Sequence, residues 1–230
     1  YKFKSNNIDL TYTMTKEFFD KSSKIRGSIM LMGPMVARFG SAYIAKPGGD
    51  KIGRRRVDTH FIGLQELGAN FSVEDNNSVF KISANKLRGT KILLDEASVT
   101  GTANIVMAAS LAAGETTIYN AACEPYLQQL CKMLNSMGAD IRGIGSNYLK
   151  IQGVKSLSGT KHRILPDMIE IGSFIGLAAM TKSDIKINDV SVENLGIIPK
   201  TFQRLGIKMK IESDCIHIPP QDNYEIESFI

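Results

Sequence analysis

The stretch from Pro47 to His60 gathers three glycines, four cations and two carboxylates, a composition suited to an anionic ligand. Glycine admits positive φ and close backbone approach, and arginine presents a planar fork of donors that matches phosphate or carboxylate oxygens. Asp50 is the exception among these cations. It is either a general acid/base or an ion-pair partner of Lys51 and the arginines. Neighbouring cations depress a carboxyl pKa below about 3.9, whereas proton donation near neutrality requires it to be raised by burial. A glycine-rich loop closing over an anionic substrate reconciles the two: the arginines pair with the substrate and Asp50 feels desolvation most.

Arg55 and Arg56 are expected to open a helix whose first turn holds Asp58, so that unpaired N–H groups and guanidinium forks converge on a phosphate. The competing readings are a solvated basic loop or a nucleic-acid patch; the lack of aromatic residues among the arginines weighs against base stacking. Ser98-Val99-Thr100-Gly101-Thr102 offers hydroxyls and N–H groups before a second apolar helix. Those groups either hold a second anion or cap the helix, and residue types leave both open. Asp58 and His60 lack a third ligand at plausible spacing and sit among cations, so no metal is expected. His60, His162 and His217 give no local support for a Ser-His-Asp triad.

These residues must be positioned by a globular scaffold. With 230 residues, 43% of them hydrophobic, the chain can bury a substantial core in one large domain or two small ones. A net charge of +5 suits acidic small molecules as well as nucleic acid. No apolar run approaches a membrane span and the start has no signal-peptide pattern, so a cytoplasmic location is expected. Cys123, Cys131 and Cys215 are odd in number without CxxC spacing, which predicts reduced, mostly buried thiols.

A pattern of helix, strand, helix, Gly, strand, strand occurs three times, at a period of about 70 residues. The copies begin near Arg26, Thr100 and Ile171, and their second helices end in Leu67-Gly68, Met137-Gly138 and Leu205-Gly206. Two-strand ribbons follow, at 70–83, 140–152 and 208–219. The first helix of each copy is apolar nearly all round, which predicts inside-out α/β units with buried helices surrounded by mixed sheets. From Gly40 to Gly68 there are 28 positions against 24 from Gly114 to Gly138, and the difference falls in the Gly/Arg loop. A connection lengthened in one copy is where function is expected to be grafted.

Several motifs together are specific. They are Gly33-Pro34, Ala37-Arg38-Phe39-Gly40, Pro47-Gly48-Gly49, and the run Ile52-Gly53, Arg55, Val57-Asp58, His60. Further along come Ser98-Val99 with Thr102, Asn120-Ala121-Ala122 with Glu124-Pro125, and Leu165-Pro166-Asp167 with Ile169-Glu170 and Gly172. On these the chain resembles, over essentially its whole length, the UDP-N-acetylglucosamine 1-carboxyvinyltransferases of the enolpyruvyl transferase family.

The resemblance implies two domains, each of three inside-out α/β units, with the active site in the cleft between them. Residues 1–165 would supply most of the first domain and 166–230 the first unit of the second. The family's amino-terminal Lys-Asn pair and its distal aspartate have no counterpart here, so the chain is expected to be a central piece with little or no activity alone, its partner being the remainder of the same polypeptide. The implied reaction transfers enolpyruvate from phosphoenolpyruvate to the 3-hydroxyl of UDP-N-acetylglucosamine and releases phosphate, the first committed step of peptidoglycan synthesis. No cofactor, metal, nucleic acid or membrane is implied.

By the same resemblance Asp50 replaces the usual loop cysteine as proton donor. That substitution removes the thiolate alkylated by fosfomycin-type epoxides and implies resistance. Arg55 looks like the phosphoenolpyruvate-binding arginine and Arg26 a substrate-binding one. Arg55, Arg56, Val57, Asp58 and Thr59, with Glu96, Ala97, Ser98 and Val99, resemble the stretches that grip the UDP-sugar. His60, Glu124 and Asp167 resemble supporting residues. Arg56 replaces a usual proline, and Glu96 stands where the family is often basic or apolar. The related shikimate-pathway enzyme, which acts on 3-phosphoshikimate, lacks this loop; a basic repeat module binding RNA is the alternative from another class.

Overall fold

The computed structural model describes residues 1–49, 53, 56–74 and 78–228. Asp50, Lys51 and Arg55 lie outside the described residues. Packing divides the chain into two compact units, Tyr1–His162 and Arg163–Ile230.

In the first unit a short helix, α1 (Lys16–Ser22), precedes a 3₁₀ segment, Arg26–Leu31, that runs directly into α2 (Met32–Phe39). Strand β1 (Ser41–Ala45), helix α3 (Asp58–Glu66) and the ribbon β2 (Asn70–Glu74) and β3 (Val79–Ser83) complete the first copy of the repeat. The second consists of α4 (Val99–Ala109), β5 (Glu115–Tyr119), α5 (Pro125–Ser136), β6 (Asp140–Arg142) and β7 (Tyr148–Gln152), preceded by a short strand, β4 (Lys91–Leu93). The second unit holds the third copy: α6 (Met168–Thr181), β8 (Ile185–Asn188), α7 (Ile198–Arg204), β9 (Lys210–Glu212) and β10 (Cys215–Ile218).

The three copies pair their strands alike. Each sheet runs first strand, third, second, all antiparallel: β1-β3-β2, β5-β7-β6 and β8-β10-β9. The registers open with Ser41 opposite Ser83, Glu115 opposite Gln152 and Ile185 opposite Ile218. The second helix of each copy is followed by a left-handed glycine, at φ +93° (Gly68), +104° (Gly138) and +83° (Gly206), a conformation in which a Cβ would be strained. β4 is the departure from the repeat: it joins the second sheet in parallel to β5, with Lys91 opposite Thr117.

Helix α4 fulfils the inside-out expectation, with eight of its eleven residues buried, from Gly101 to Ala109 apart from Met107. It packs against α2 and α3, and its Ile105, Val106 and Ala108 join Met32, Leu64, Ile82, Ile118 and Ile151 in one core. α6 departs from it. It buries Ile171, Ile175 and Ala178 but exposes Ile169, Phe174, Leu177 and Met180, because the described part of this unit offers one sheet and α7 to cover it.

Three further expectations are corrected. α3 starts at Asp58, so Arg56 precedes the helix and does not open it. α4 ends at Ala109, before a turn over 110–113 that leads to Gly114, so Gly40 and Gly114 are not equivalent markers. Measured from strand to helix, the connection spans residues 46–57 in the first copy, 120–124 in the second and 189–197 in the third; the Gly/Arg loop is the longest of a graded set. Of the cysteines, Cys131 is buried, Cys215 half-buried and Cys123 exposed. Burial pushes the Cys131 thiol up to about 11, leaving it inert at neutral pH.

Candidate functional site

Helix α3 is pinned on two sides. Phe61 stacks on Phe71 of β2 with centroids 4.0 Å apart and meets Phe80 of β3 edge-on at 4.9 Å, contacts that favour offset and T-shaped geometry. On its other side Gly63 lies against Ile105 of α4, where a side chain would have no room. The helix therefore presents its first turn, Asp58 to His60, at a fixed place beside the start of α4.

The start of α4 is set by Ser98, whose hydroxyl accepts from the Gly101 N–H at 3.2 Å. This is N-capping, the second of the two readings left open for that turn. Thr102 adds a bond to the Ser98 carbonyl at 2.7 Å and accepts from the Ala122 N–H at 3.1 Å, tying α4 to the segment after β5.

Strand β4 delivers Asp95 and Glu96 to the same place. Arg56 spans two carboxylates, Asp58 at 3.0 Å and Asp95 at 2.8 Å, and Thr59 Oγ1 lies 3.0 Å from Glu96. Arg26 donates to the Arg56 carbonyl at 2.8 Å. Gly48 and Gly49 lie against Ser23 and Arg26, so the described start of the Gly/Arg loop rests on the segment that carries Arg26. The structure thus brings together Arg26, Arg56, Val57, Asp58, Thr59, Glu96 and the Ser98-Val99 turn, residues drawn from three separated stretches; Ala97 sits exposed between Glu96 and Ser98. Arg56 is committed to internal carboxylates, which raise its pKa, the bond to Asp58 first. These pairs are solvent-exposed and screened, so their value is geometric.

His60 is buried, with Nδ1 2.8 Å from Asn104 Nδ2 and Nε2 3.1 Å from Thr100 Oγ1. Burial first, and then the Arg26 charge, lower its pKa from 6.5 to about 4, so the ring is neutral under physiological conditions. Asn104 also donates to the Ile29 carbonyl at 2.8 Å and accepts from the Gly33 N–H at 2.9 Å. It satisfies a first-turn N–H of α2 from another helix. At Gly33 the two helices touch backbone to backbone: an added Cβ would collide with the Asn104 carbonyl oxygen and lie 2.8 Å from its Oδ1. Gly33→Ala is expected to lower unfolding free energy by about 2–3 kcal/mol through overpacking and loss of this bond, read as a shift in urea midpoint; an unchanged midpoint would contradict the close crossing.

Asn104 carries no motif in the sequence, and its signal is a lone amide in an apolar helix, which must find buried partners. Asp95 was equally silent, placed by a three-residue strand too short to show alternation. Glu124 precedes α5, where Pro125 takes the first position; its Oε2 is buried without a partner among the described residues. In the second unit Asp167 caps α6, accepting from the Ile169 and Glu170 N–H groups at 2.9 and 3.3 Å, so its evident part is structural. No group of three metal-ligating side chains occurs among the described residues, and no helix there is long and apolar enough to cross a membrane.

The family model for EPSP synthase (3-phosphoshikimate 1-carboxyvinyltransferase) matches residues 9–228. The chain belongs to the EPSP synthase family. Its fold agrees: the enolpyruvyl transferase NikO of Streptomyces tendae superposes with TM-score 0.72 at 18% identity, over 88% of this chain and 49% of that one. An EPSP synthase of Acinetobacter baumannii gives 0.62 at 22% identity, over 84% and 45%. Within the EPSP synthase family, sequence similarity is far higher to another group. The UDP-N-acetylglucosamine 1-carboxyvinyltransferase of Bacteroides fragilis is 66% identical over all 230 residues, which make up 53% of its length. That of Porphyromonas gingivalis is 59% identical over 228 residues, 52% of its length. The chain spans about half the length of the curated relatives it matches.

Proposed function

We propose that the protein transfers enolpyruvate from phosphoenolpyruvate to the 3-hydroxyl of UDP-N-acetylglucosamine, releasing phosphate. The observation that carries this reading is 66% identity across the whole chain to a protein named for that reaction, against 22% to an EPSP synthase. On this reading residues 1–165 form most of one domain and 166–230 open a second, and the activity belongs to the full-length protein in the cytoplasm.

The reaction needs an acid that protonates the phosphoenolpyruvate methylene as the sugar hydroxyl attacks the adjacent carbon, and cations that hold phosphate and carboxylate. Asp50 is assigned the first task and Arg55 the second, with Arg26 a further substrate-binding cation. The residues from Arg56 to Thr59 and from Glu96 to Val99 are assigned to the nucleotide sugar, with Arg56 acting through Asp58 and Asp95. His60, Glu124 and Asp167 support them.

The test is phosphate release by the full-length protein given phosphoenolpyruvate and either acceptor. Release with UDP-N-acetylglucosamine and none with 3-phosphoshikimate is expected, and the reverse would overturn the assignment. A thermal shift raised by RNA and not by UDP-N-acetylglucosamine would support the RNA-binding alternative.

A further inference from the structure

The buried amide of Asn104 is flanked by two backbone groups of opposite polarity. The Ile29 carbonyl can only accept and the Gly33 N–H can only donate, and they lie 2.8 Å from Nδ2 and 2.9 Å from Oδ1. Rotating the amide by half a turn would set oxygen against oxygen and N–H against N–H, so its orientation is fixed. One Nδ2 hydrogen remains, and it faces His60 Nδ1 at 2.8 Å. His60 Nδ1 is therefore an acceptor, and a neutral imidazole with an acceptor Nδ1 carries its proton on Nε2. That proton is donated to Thr100 Oγ1 at 3.1 Å.

A hydroxyl that accepts one bond keeps its own hydrogen for another. Thr100 is exposed, next to Val99 in the first turn of α4 and across from the Asp58–His60 turn of α3. The direction of every bond in this chain, from the core to the surface, follows from two backbone groups, one in the 3₁₀ segment and one in the first turn of α2.

We propose that Asn104 and His60 are positioning residues: they fix the ring as the Nε2–H tautomer, so that the Thr100 hydroxyl is held as a hydrogen-bond donor toward an anionic group of the bound nucleotide sugar. The role of Thr100 rests on the substrate reading above; the tautomer does not. Donation to an anion at this place complements Arg26, and a hydroxyl lacking the His60 bond would be free to turn and accept.

Two measurements on the full-length protein test this. In ¹⁵N-histidine spectra His60 is expected as the neutral Nε2–H form from pH 5.5 to 8 in wild type, and Asn104→Asp is expected to move its proton to Nδ1 or to make it imidazolium at pH 7. An Nδ1–H ring in wild type, or an unmoved proton in a folded Asn104→Asp variant, would overturn the relay. Thr100→Val and Thr100→Ser alter an exposed side chain and should fold. Thr100→Val is expected to raise KM for UDP-N-acetylglucosamine roughly tenfold, as for loss of one hydrogen bond to a charged group, with kcat within about twofold and Thr100→Ser near wild type. Equal KM in wild type and Thr100→Val would overturn the donor role. A wild type without turnover on that substrate would instead sink the functional assignment, while the spectra would still decide the relay.

Discussion

Asp50→Asn in the full-length protein is expected to cut turnover by roughly 10²–10⁴-fold, the usual contribution of a positioned general acid. The amide is nearly isosteric with the carboxyl group, so folding should be little affected. What it loses is the ability to give a proton to the methylene carbon. KM should change little, because the phosphoenolpyruvate anions are assigned to Arg55. The readout is steady-state phosphate release, and a rate within a few-fold of wild type would remove Asp50 from the chemistry. Asp50→Cys supplies a second arm: it should keep turnover and become covalently labelled by fosfomycin, whereas wild type, lacking a thiol at this position, should stay unlabelled.

The second large effect is on stability. His60 has a folded pKa near 4 and an ordinary value of 6.5. Because the folded value is the lower, the unfolded chain takes up the proton first as pH falls. The contribution is complete above about 6.5, declines by about 1.4 kcal/mol per pH unit below it, and is exhausted near 4, a total of about 3 kcal/mol. The nearby charge is Arg26, which opposes protonation, while Thr100 and Asn104 are neutral. Protonation would also turn Nδ1 into a donor facing the Asn104 amide hydrogens. Urea midpoints measured from pH 7 to pH 4 should fall with this slope. In His60→Gln they should lose that part of it; identical slopes in the two proteins would contradict a buried neutral ring.

Much of the scaffold was legible in the chain because its punctuation is chemical. The second helices of the copies end in glycines that must take positive φ, and the ribbons that follow alternate cleanly enough to be placed within a few residues. The candidate site was legible as residue types, glycines and arginines gathered in one loop. Pairing was not. Arg56 reads as a free cation until Asp95 is seen opposite it, and Asp95 is put there by a parallel strand that sequence periodicity cannot reveal at three residues. α6 reads as a buried helix from composition, yet composition does not say how many layers cover it. Asn104 is the deepest omission, because a single polar residue in an apolar helix announces a need for partners without naming them.

The Asn104–Gly33 bond has a consequence for how the molecule comes apart. Repeats that merely stack can melt one at a time, since each owns its hydrogen bonds. Here the first helix of one copy is capped by a side chain from the first helix of the next, through a crossing with no space between the backbones. Fraying of either copy at that end breaks this bond and leaves the first helix of the earlier copy uncapped. The two are therefore expected to melt in one cooperative transition, the duplicated halves of this unit having exchanged independence for a common keystone.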